Sequence, residues 1–175
     1  MTKNGKRLFL GLGFNTEAKN QIAENQRSLA IAGRPVAAAN FHQTLVFLGQ
    51  VSEEQQSQLV ERVNEIENPA FAITYNRFGY WRKPQILFLA PTSMPEELSK
   101  LVEQLQQAVI GAGLPIEERP YRPHITLVRK VTRQPQTLPA PIAFSTQFQQ
   151  FTLYHSASSA DGVCYLPLQT WPLQI

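Results

Sequence analysis

A five-residue pattern occurs twice in this chain, as His42-Gln43-Thr44-Leu45-Val46 and as His124-Ile125-Thr126-Leu127-Val128. The two copies use two of the 3 histidines in the chain. In an extended strand, side chains at i and i+2 project from one face, and those at i+1 and i+3 project from the other. Each copy therefore predicts a strand that presents a histidine and a threonine together. Two such strands could place two imidazoles and two hydroxyls around one groove.

The segments around the two copies predict alternating strands and helices. Strands are expected at about residues 7–14, 40–48, 70–79, 85–90, 123–129, 143–155 and 163–170. Helices are expected from Asn15 or Thr16 to about Ala32, from Ser52 to about Glu67, and from the capping box Ser93–Glu96 through Val109, with Gly111 and Gly113 ending the third helix. Capping boxes at Ser52 and at Ser93 are predicted to begin the second and third helices. An apolar stripe from Leu98 to Val109 is predicted to face the core.

The order of these elements predicts an α+β fold. We expect two pseudo-symmetric lobes of antiparallel sheet, with helices on the outer faces and a central groove that carries the two His-x-Thr motifs. Outside the repeated pattern the halves share little sequence, so an internal duplication is inferred from the motif and the element order alone. Because 175 residues fit one domain and no low-complexity linker divides them, a single two-lobed domain is expected over residues 1–175.

The composition restricts the partners and the compartment. A formal charge of +3 and a pI of about 9.2 suit a substrate with a few phosphates and fall short of a long-groove DNA binder. Cys164 is the sole cysteine, so an intramolecular disulfide is excluded, and we expect the thiol to pack as a small hydrophobe. The sequence predicts no secretory signal and no membrane-spanning stretch. We expect a cytoplasmic protein without membrane partners, and a monomer because nothing in the sequence requires an oligomer.

Paired histidines suggest acid–base chemistry on a phosphodiester. Histidine has an unperturbed pKa of about 6.5, so it can act as an acid or as a base near neutrality. One neutral imidazole can take a proton from water while a protonated one gives a proton to the leaving alkoxide, and this needs no metal. Two threonine hydroxyls can hold the non-bridging oxygens as charge develops on them. We therefore assign His42, His124, Thr44 and Thr126 as candidate catalytic residues.

Other hydrolytic chemistries lack their motifs in this sequence. There is no Walker loop, no His-Glu-x-x-His, no Cys-x-x-Cys and no Gly-x-Ser-x-Gly. The acidic residues lie mainly at predicted helix starts, where they favour the helix dipole. We expect neither a metal nor a cofactor.

Several segments match one known family: Arg7-Leu8-Phe9, Gly33–Val36, Asn40–Gly49, Arg122–Arg129 and Phe151–Tyr154. On these residues the chain resembles the two-histidine phosphoesterases, and specifically the bacterial RNA 2',3'-cyclic phosphodiesterases, long called 2'-5' RNA ligases. The resemblance covers essentially the whole length. It implies hydrolysis of a 2',3'-cyclic phosphate, at an RNA 3' end or on a small cyclic nucleotide, to a 2'-phosphomonoester.

The resemblance also implies roles for the motif residues. His42 would donate a proton to the leaving 3' oxygen, His124 would accept a proton from water, and Thr44 and Thr126 would grip the phosphate. The residues themselves leave this assignment open, because a nearly symmetric pair of histidines could exchange roles.

Other side chains are candidate substrate contacts. Arg129 lies on the opposite face from His124 by simple alternation, yet a bend at the end of its strand could aim it at phosphate, and the family resemblance supports that role. Trp81, in a turn with Arg82 and Lys83, is a candidate for nucleic-acid binding. Phe9, Tyr80 and Trp81 could each stack a base, although Phe9 is expected to pack in the core. Tyr121 and Arg122 could line the groove or belong to a proline-flanked turn, and His155 is expected at a strand end or on the surface.

Two groups of rival functions remain open from the sequence. One is the reverse reaction, a 2'-5' RNA ligase, or action on another cyclic or 2',5'-linked nucleotide. The other is a non-catalytic module that binds RNA ends, in which the imidazoles only hydrogen-bond phosphate.

Overall fold

Ten strands and three helices follow one another along residues 5–160 and 162–175, which are the residues that the computed structural model describes. The strands are β1 (Lys6–Leu12), β2 (Arg34–Pro35), β3 (Gln43–Val51), β4 (Phe71–Tyr75), β5 (Arg77–Trp81), β6 (Ile86–Ala90), β7 (Ile125–Arg129), β8 (Phe144–Phe148), β9 (Gln150–Ser159) and β10 (Gly162–Pro172). The helices are α1 (Thr16–Arg27), α2 (Glu53–Val63) and α3 (Glu96–Gly111). All pairings between these strands are antiparallel, which confirms the predicted α+β class.

The strands form two four-stranded sheets and one two-stranded ribbon. The first sheet has the order β10-β9-β1-β3, the second has the order β2-β7-β6-β5, and the ribbon pairs β4 with β8. The chain passes between the sheets more than once, because β9 and β10 return to the sheet of β1 while β2 pairs with β7. Each sheet therefore contains strands from both halves of the chain.

The two motif strands lie at facing positions. β3 is the edge strand of the first sheet, and in the second sheet β7 has only the two-residue β2 on its outer side. The two strands approach each other closely. A groove between the sheets therefore has one motif on each side.

A continuous apolar core holds the sheets and helices together. The stripe on α3 is buried as predicted, and Leu98, Leu101, Leu105 and Val109 have no exposed surface. Each such side chain gains about 1.5–3 kcal/mol from burial, before entropy is counted.

Two helices end earlier than predicted, and one cap differs. α1 ends at Arg27 instead of Ala32, where the Ser28 Oγ donates a hydrogen bond to the Asn25 carbonyl at 2.7 Å and competes with further helix. α2 ends at Val63 instead of Glu67. The capping box at Ser52 is confirmed, whereas the one at Ser93 is wrong, since Pro95 is the N-cap of α3 and no side chain caps it.

Two predicted strands are divided because the chain changes partner. The segment 70–79 splits at Asn76 into β4, which pairs with β8, and β5, which pairs with β6. The segment 143–155 splits in the same way between β8 and β9.

The predicted packing of Cys164 is also wrong, because β10 is an edge strand and the thiol is exposed. None of the helices in the described residues is both long enough and apolar enough to cross a membrane.

Candidate active site

A cleft of about 900 Å³ lies between the motif strands. His42 and Thr44 line one side, and His124 and Thr126 line the other, so the structure brings the four motif side chains into one space. The rest of the lining includes Phe47, Tyr80, Trp81, Arg82, Lys83, Gln106, Glu117, Arg119, Tyr121, Arg122 and Arg129.

Strand alternation explains why the motif side chains share the cleft. The residues between and after them, Gln43 and Leu45 in β3 and Ile125 and Leu127 in β7, are buried on the opposite face. The first five residues of β3 and all five residues of β7 have the same order of buried and exposed side chains. The two halves therefore present equivalent faces to the cleft.

Each imidazole has the same hydrogen bond to the main chain. His42 Nδ1 lies 2.8 Å from the carbonyl oxygen of Asn40, and His124 Nδ1 lies 2.8 Å from that of Arg122. A carbonyl oxygen only accepts, so in both rings the proton is on Nδ1. Nε2 of each histidine is then free to exchange a proton with a ligand in the cleft.

Aromatic rings fix the orientation of both imidazoles. The His42 ring lies 4.8 Å from Phe9 and 4.7 Å from Tyr165, centroid to centroid. The His124 ring lies 4.5 Å from Trp81 and 5.7 Å from Phe88. Tyr165 and Trp81 each meet their imidazole at an interplanar angle of 72°. The enclosure limits rotation of both imidazoles.

Burial favours the neutral form of both histidines in the free protein. It lowers the pKa of His42 to about 4, and the positive charge of Arg129 acts in the same direction, while the Asn40 carbonyl opposes it. Burial likewise lowers the pKa of His124, with Arg129 again contributing. An anion between the rings would counteract both effects, because it favours the charged imidazole.

A β-bulge turns Arg129 into the cleft. Thr126 pairs with Phe88 and Val128 with Leu87, which leaves Leu127 without a partner on β6. An extra residue in one strand shifts the alternation of side chains by one position. Leu127 and Val128 are both buried as a result, and Arg129 faces the same side as His124 although it is an odd number of residues away.

The same bulge occurs in the first motif and exposes a residue that the sequence did not single out. Thr44 pairs with Gly11 and Val46 with Leu10, so Leu45 is unpaired on β1. Phe47 consequently lines the cleft with 40 % of its surface exposed. The guanidinium carbon of Arg7 lies 4.8 Å from the centre of its ring, a cation–π contact. The sequence offers one signal for Phe47: it lies five residues after His42, just as Arg129 lies five residues after His124.

The other predicted contacts lie at different depths. Trp81 lines the cleft and also packs against Phe88, with the two ring centres 4.3 Å apart. Phe9 is 4 % exposed, lies behind the His42 ring and is not among the residues that line the cleft. His155 is half-buried in β9, outside the cleft.

A buried hydrogen-bond chain joins the two motifs. Gln43 has no exposed surface; its Oε1 accepts a hydrogen bond from Tyr75 Oη, and its Nε2 donates one to Tyr121 Oη at 3.0 Å. Tyr121 Oη in turn donates to the carbonyl oxygen of Thr44 at 2.7 Å. Burial raises the pKa of both tyrosines, so the hydroxyls stay protonated. The loop that leads to His124 is thereby attached to the strand that follows His42.

The charge of the cleft is positive. Arg82, Lys83, Arg122 and Arg129 line it without an acidic partner among the described residues, and Glu117 is paired with Arg119 at 2.9 Å. Within residues 5–160 and 162–175, no cluster of three or more His, Cys, Asp or Glu side chains is arranged to hold a metal ion. The cleft is therefore suited to an anion.

Two His-x-Thr motifs that face each other across one positively charged cleft are the arrangement typical of the two-histidine phosphoesterases. Comparison with known proteins identifies the particular family. The model of the family described as LigT like Phosphoesterase matches residues 12–88 and again residues 89–165, so the chain belongs to the LigT-like phosphoesterases. The two matches each contain one His-x-Thr motif, which agrees with the duplication inferred from the sequence.

Curated relatives and solved structures agree with this family. The chain is 33% identical to the RNA 2',3'-cyclic phosphodiesterase of Escherichia coli (strain K12) over 170 residues, which cover 96% of this chain and 97% of that protein. It is 36% identical to the RNA 2',3'-cyclic phosphodiesterase of Bacillus subtilis (strain 168), with 77% of each chain covered. The apo structure of E. coli LigT superposes with a TM-score of 0.91 at 34% identity, covering 98% of this chain and 99% of that one.

Proposed function

We propose that this chain hydrolyses 2',3'-cyclic phosphates at RNA 3' ends to 2'-phosphomonoesters, without a metal. The observation that carries the proposal is the matched placement of two imidazoles in one cleft, each with Nδ1 tied to a main-chain carbonyl and Nε2 free. The names of the relatives, which specify this substrate for those proteins, support the choice among phosphodiesters.

The reaction needs one proton removed and one supplied. His124 Nε2 takes a proton from water as the water oxygen forms a bond to phosphorus. His42 Nε2–H gives its proton to the 3' oxygen as the bond from phosphorus to that oxygen breaks. The 2' oxygen keeps its bond, and the product is the 2'-phosphomonoester.

The remaining groups stabilise charge. The hydroxyls of Thr44 and Thr126 donate hydrogen bonds to the two non-bridging oxygens, and the Arg129 guanidinium balances the negative charge that develops there. Groups held on strands need little reorganisation when the charge develops, which is the main source of such stabilisation.

Binding of the anionic substrate prepares the proton donor. The pKa of His42 is about 4 in the free protein, so near neutrality this ring is neutral until a ligand arrives. The negative phosphate raises the pKa of both imidazoles, and one of them then carries a second proton, on Nε2, in the complex. The donor and acceptor roles are assigned from the family, and we propose them for His42 and His124 in that order.

We further propose that the chain acts as a monomeric, single two-lobed domain over residues 1–175, in the cytoplasm. The exposed thiol of Cys164 suits a reducing compartment. Size-exclusion chromatography with light scattering tests the monomer, and cell fractionation tests the compartment.

The identity of the product tests the function. Purified protein is incubated in excess EDTA with an oligonucleotide that ends in a 2',3'-cyclic phosphate, and the product is identified by chromatography. A 2'-phosphate is expected. A 3'-phosphate, a joined 2',5' product, tight binding without turnover, or a requirement for Mg²⁺ or Zn²⁺ would each contradict the proposal.

A further inference from the structure

The cleft has more cationic groups than the reacting phosphate needs. His42, His124, Thr44, Thr126 and Arg129 account for one phosphate group in the proposed mechanism. The volume of the cleft, about 900 Å³, lies near the upper end of the roughly 300–1,000 Å³ typical of small-ligand pockets. The turn between β5 and β6, residues 82–85, adds Arg82 and Lys83 to the lining. We call these four residues the basic turn.

The basic turn is next to the catalytic centre. It begins directly after Trp81, whose ring is 4.5 Å from that of His124. Arg82 and Lys83 are exposed, and neither has an acidic partner within 4.0 Å among the described residues. Two cations without an acidic partner therefore line the same cleft as His124 and directly follow, in the chain, the tryptophan that contacts its ring.

The backbone of the basic turn is held in place from both sides. Gln85 has a positive φ of 57°, and its carbonyl oxygen accepts a hydrogen bond from Val131 N at 2.8 Å. Tyr80 Oη donates to the carbonyl oxygen of Val131 at 2.6 Å. A non-glycine residue in the left-handed region persists where the surroundings fix it. The two cations are therefore presented from a fixed backbone and not from a free loop.

We propose that the basic turn binds the phosphodiester on the 5' side of the terminal nucleotide, so that the cleft selects oligonucleotide ends over cyclic mononucleotides. The proposal rests on the function proposed above. In an RNA end, the next negative group after the cyclic phosphate is the linkage to the preceding nucleotide, and a cyclic mononucleotide with a free 5' hydroxyl lacks it. Cations that contact this linkage contribute to affinity without reading the base sequence.

The test compares two substrates and two charge-matched variants. kcat/KM is measured in EDTA for a 2',3'-cyclic mononucleotide and for a trinucleotide with the same cyclic end, over a series of salt concentrations. Arg82→Gln/Lys83→Gln removes the two cations of the basic turn. Arg27→Gln/Lys100→Gln removes two exposed cations on α1 and α3, outside the cleft, and serves as the control.

The wild type and the control are expected to prefer the trinucleotide, and the basic-turn variant is expected to lose this preference by roughly tenfold at low salt. The slope of log kcat/KM against log salt for the trinucleotide should also fall by about 0.7 for each cation removed. An unchanged preference, or an equal loss for both substrates, would overturn the subsite.

A binding measurement tests this subsite independently of catalysis. The affinity of the 2'-phosphorylated trinucleotide is measured by fluorescence anisotropy with the same proteins. If the wild type hydrolyses neither substrate, the proposed function fails. The subsite is still supported if only the basic-turn variant binds the trinucleotide more weakly, and it is refuted if all three proteins bind it equally. Circular dichroism verifies that the variants fold.

Discussion

Phe47 and Arg129 lie at equivalent positions on the two motif strands, each turned into the cleft by a bulge two residues earlier. One is an aromatic ring supported by Arg7, and the other is a cation. This pair breaks the near symmetry of the site. A nucleotide carries a base on one side and a phosphate on the other, so we expect this difference to orient a bound nucleotide and thereby to determine which imidazole meets the leaving oxygen.

Replacement of Phe47 by alanine is expected to weaken substrate binding. Stacking of a base on an aromatic ring contributes about 1–3 kcal/mol, so KM should rise roughly 5- to 150-fold while kcat changes less. Steady-state kinetics with a cyclic mononucleotide checks this. Phe47→Tyr keeps the ring and is the control. An unchanged KM in Phe47→Ala would show that the base does not contact this ring.

Replacement of Arg129 by alanine is expected to lower kcat. In the proposed mechanism its charge faces the oxygens that become more negative in the transition state, and loss of one such group typically costs about 10²–10³-fold in kcat. Arg129→Lys should recover part of the rate because it restores charge without the planar fork. A change in KM alone would mean that Arg129 binds substrate and transition state equally.

Each motif histidine is expected to be needed for turnover. His42→Ala and His124→Ala should each lose about 10²–10⁴-fold in kcat. The double variant should lose much less than the product of the two, since the residues act in one step. His155→Ala, which alters the third histidine outside the cleft, should keep wild-type kinetics. Fully multiplicative losses would argue against a concerted pair.

The pH dependence should differ between the free protein and the complex. kcat/KM reports the pKa values of the free protein, and burial lowers those of both His42 and His124. Because one ring must be protonated, kcat/KM should peak below pH 6.5 and fall as pH rises. The bound anion raises both pKa values, so the alkaline limb of kcat should lie at higher pH. The pH profiles of kcat/KM and of kcat are measured in EDTA. If their alkaline limbs lie at the same pH, the bound anion does not raise the pKa of the imidazoles.

Tyr121 is expected to act as a positioning residue. Tyr121→Phe keeps the ring in the cleft but removes the hydrogen bond to the Thr44 carbonyl and leaves Gln43 Nε2 without its acceptor. An unsatisfied buried polar group costs about 1–3 kcal/mol, which denaturant titration can detect. Because the two motifs are no longer attached there, kcat should fall more than KM rises.

A second variant distinguishes positioning from a general loss of stability. Trp171→Phe removes the hydrogen bond from Trp171 Nε1 to Asn64 Oδ1, 2.7 Å long and outside the cleft. This variant should lose stability yet keep kcat. Equal kcat in the wild type and in Tyr121→Phe would limit Tyr121 to a structural role.

Local patterns in the sequence predicted the parts of the fold that depend on neighbouring residues. The i, i+2 spacing placed each histidine and threonine on one face. The stripe on α3 indicated its buried side, and Ser52 with Gln55 indicated the start of α2. Each of these signals arises within a few residues, so it can be recognised before the tertiary structure is known.

Features that depend on distant partners could not be predicted in this way. Nothing in Leu45 or Leu127 indicates a bulge, because the mismatch appears only against β1 and β6. Gln43 has a polar side chain on a face expected to be apolar, and its partners, Tyr75 and Tyr121, lie 32 and 78 residues away in the chain. The predicted ends of α1 and α2 lie past the observed ones, because the apolar periodicity of the sequence continues beyond Arg27 and Val63, where the helices end.

The protons on the imidazoles of His42 and His124 are held on Nδ1 by the peptide oxygens of Asn40 and Arg122, and not by a carboxylate side chain. Every amino acid supplies the same oxygen. Substitutions at positions 40 and 122 can therefore change the side chains there while the proton of each histidine stays on Nδ1. Only a displacement of the backbone would remove the carbonyl oxygen that holds it.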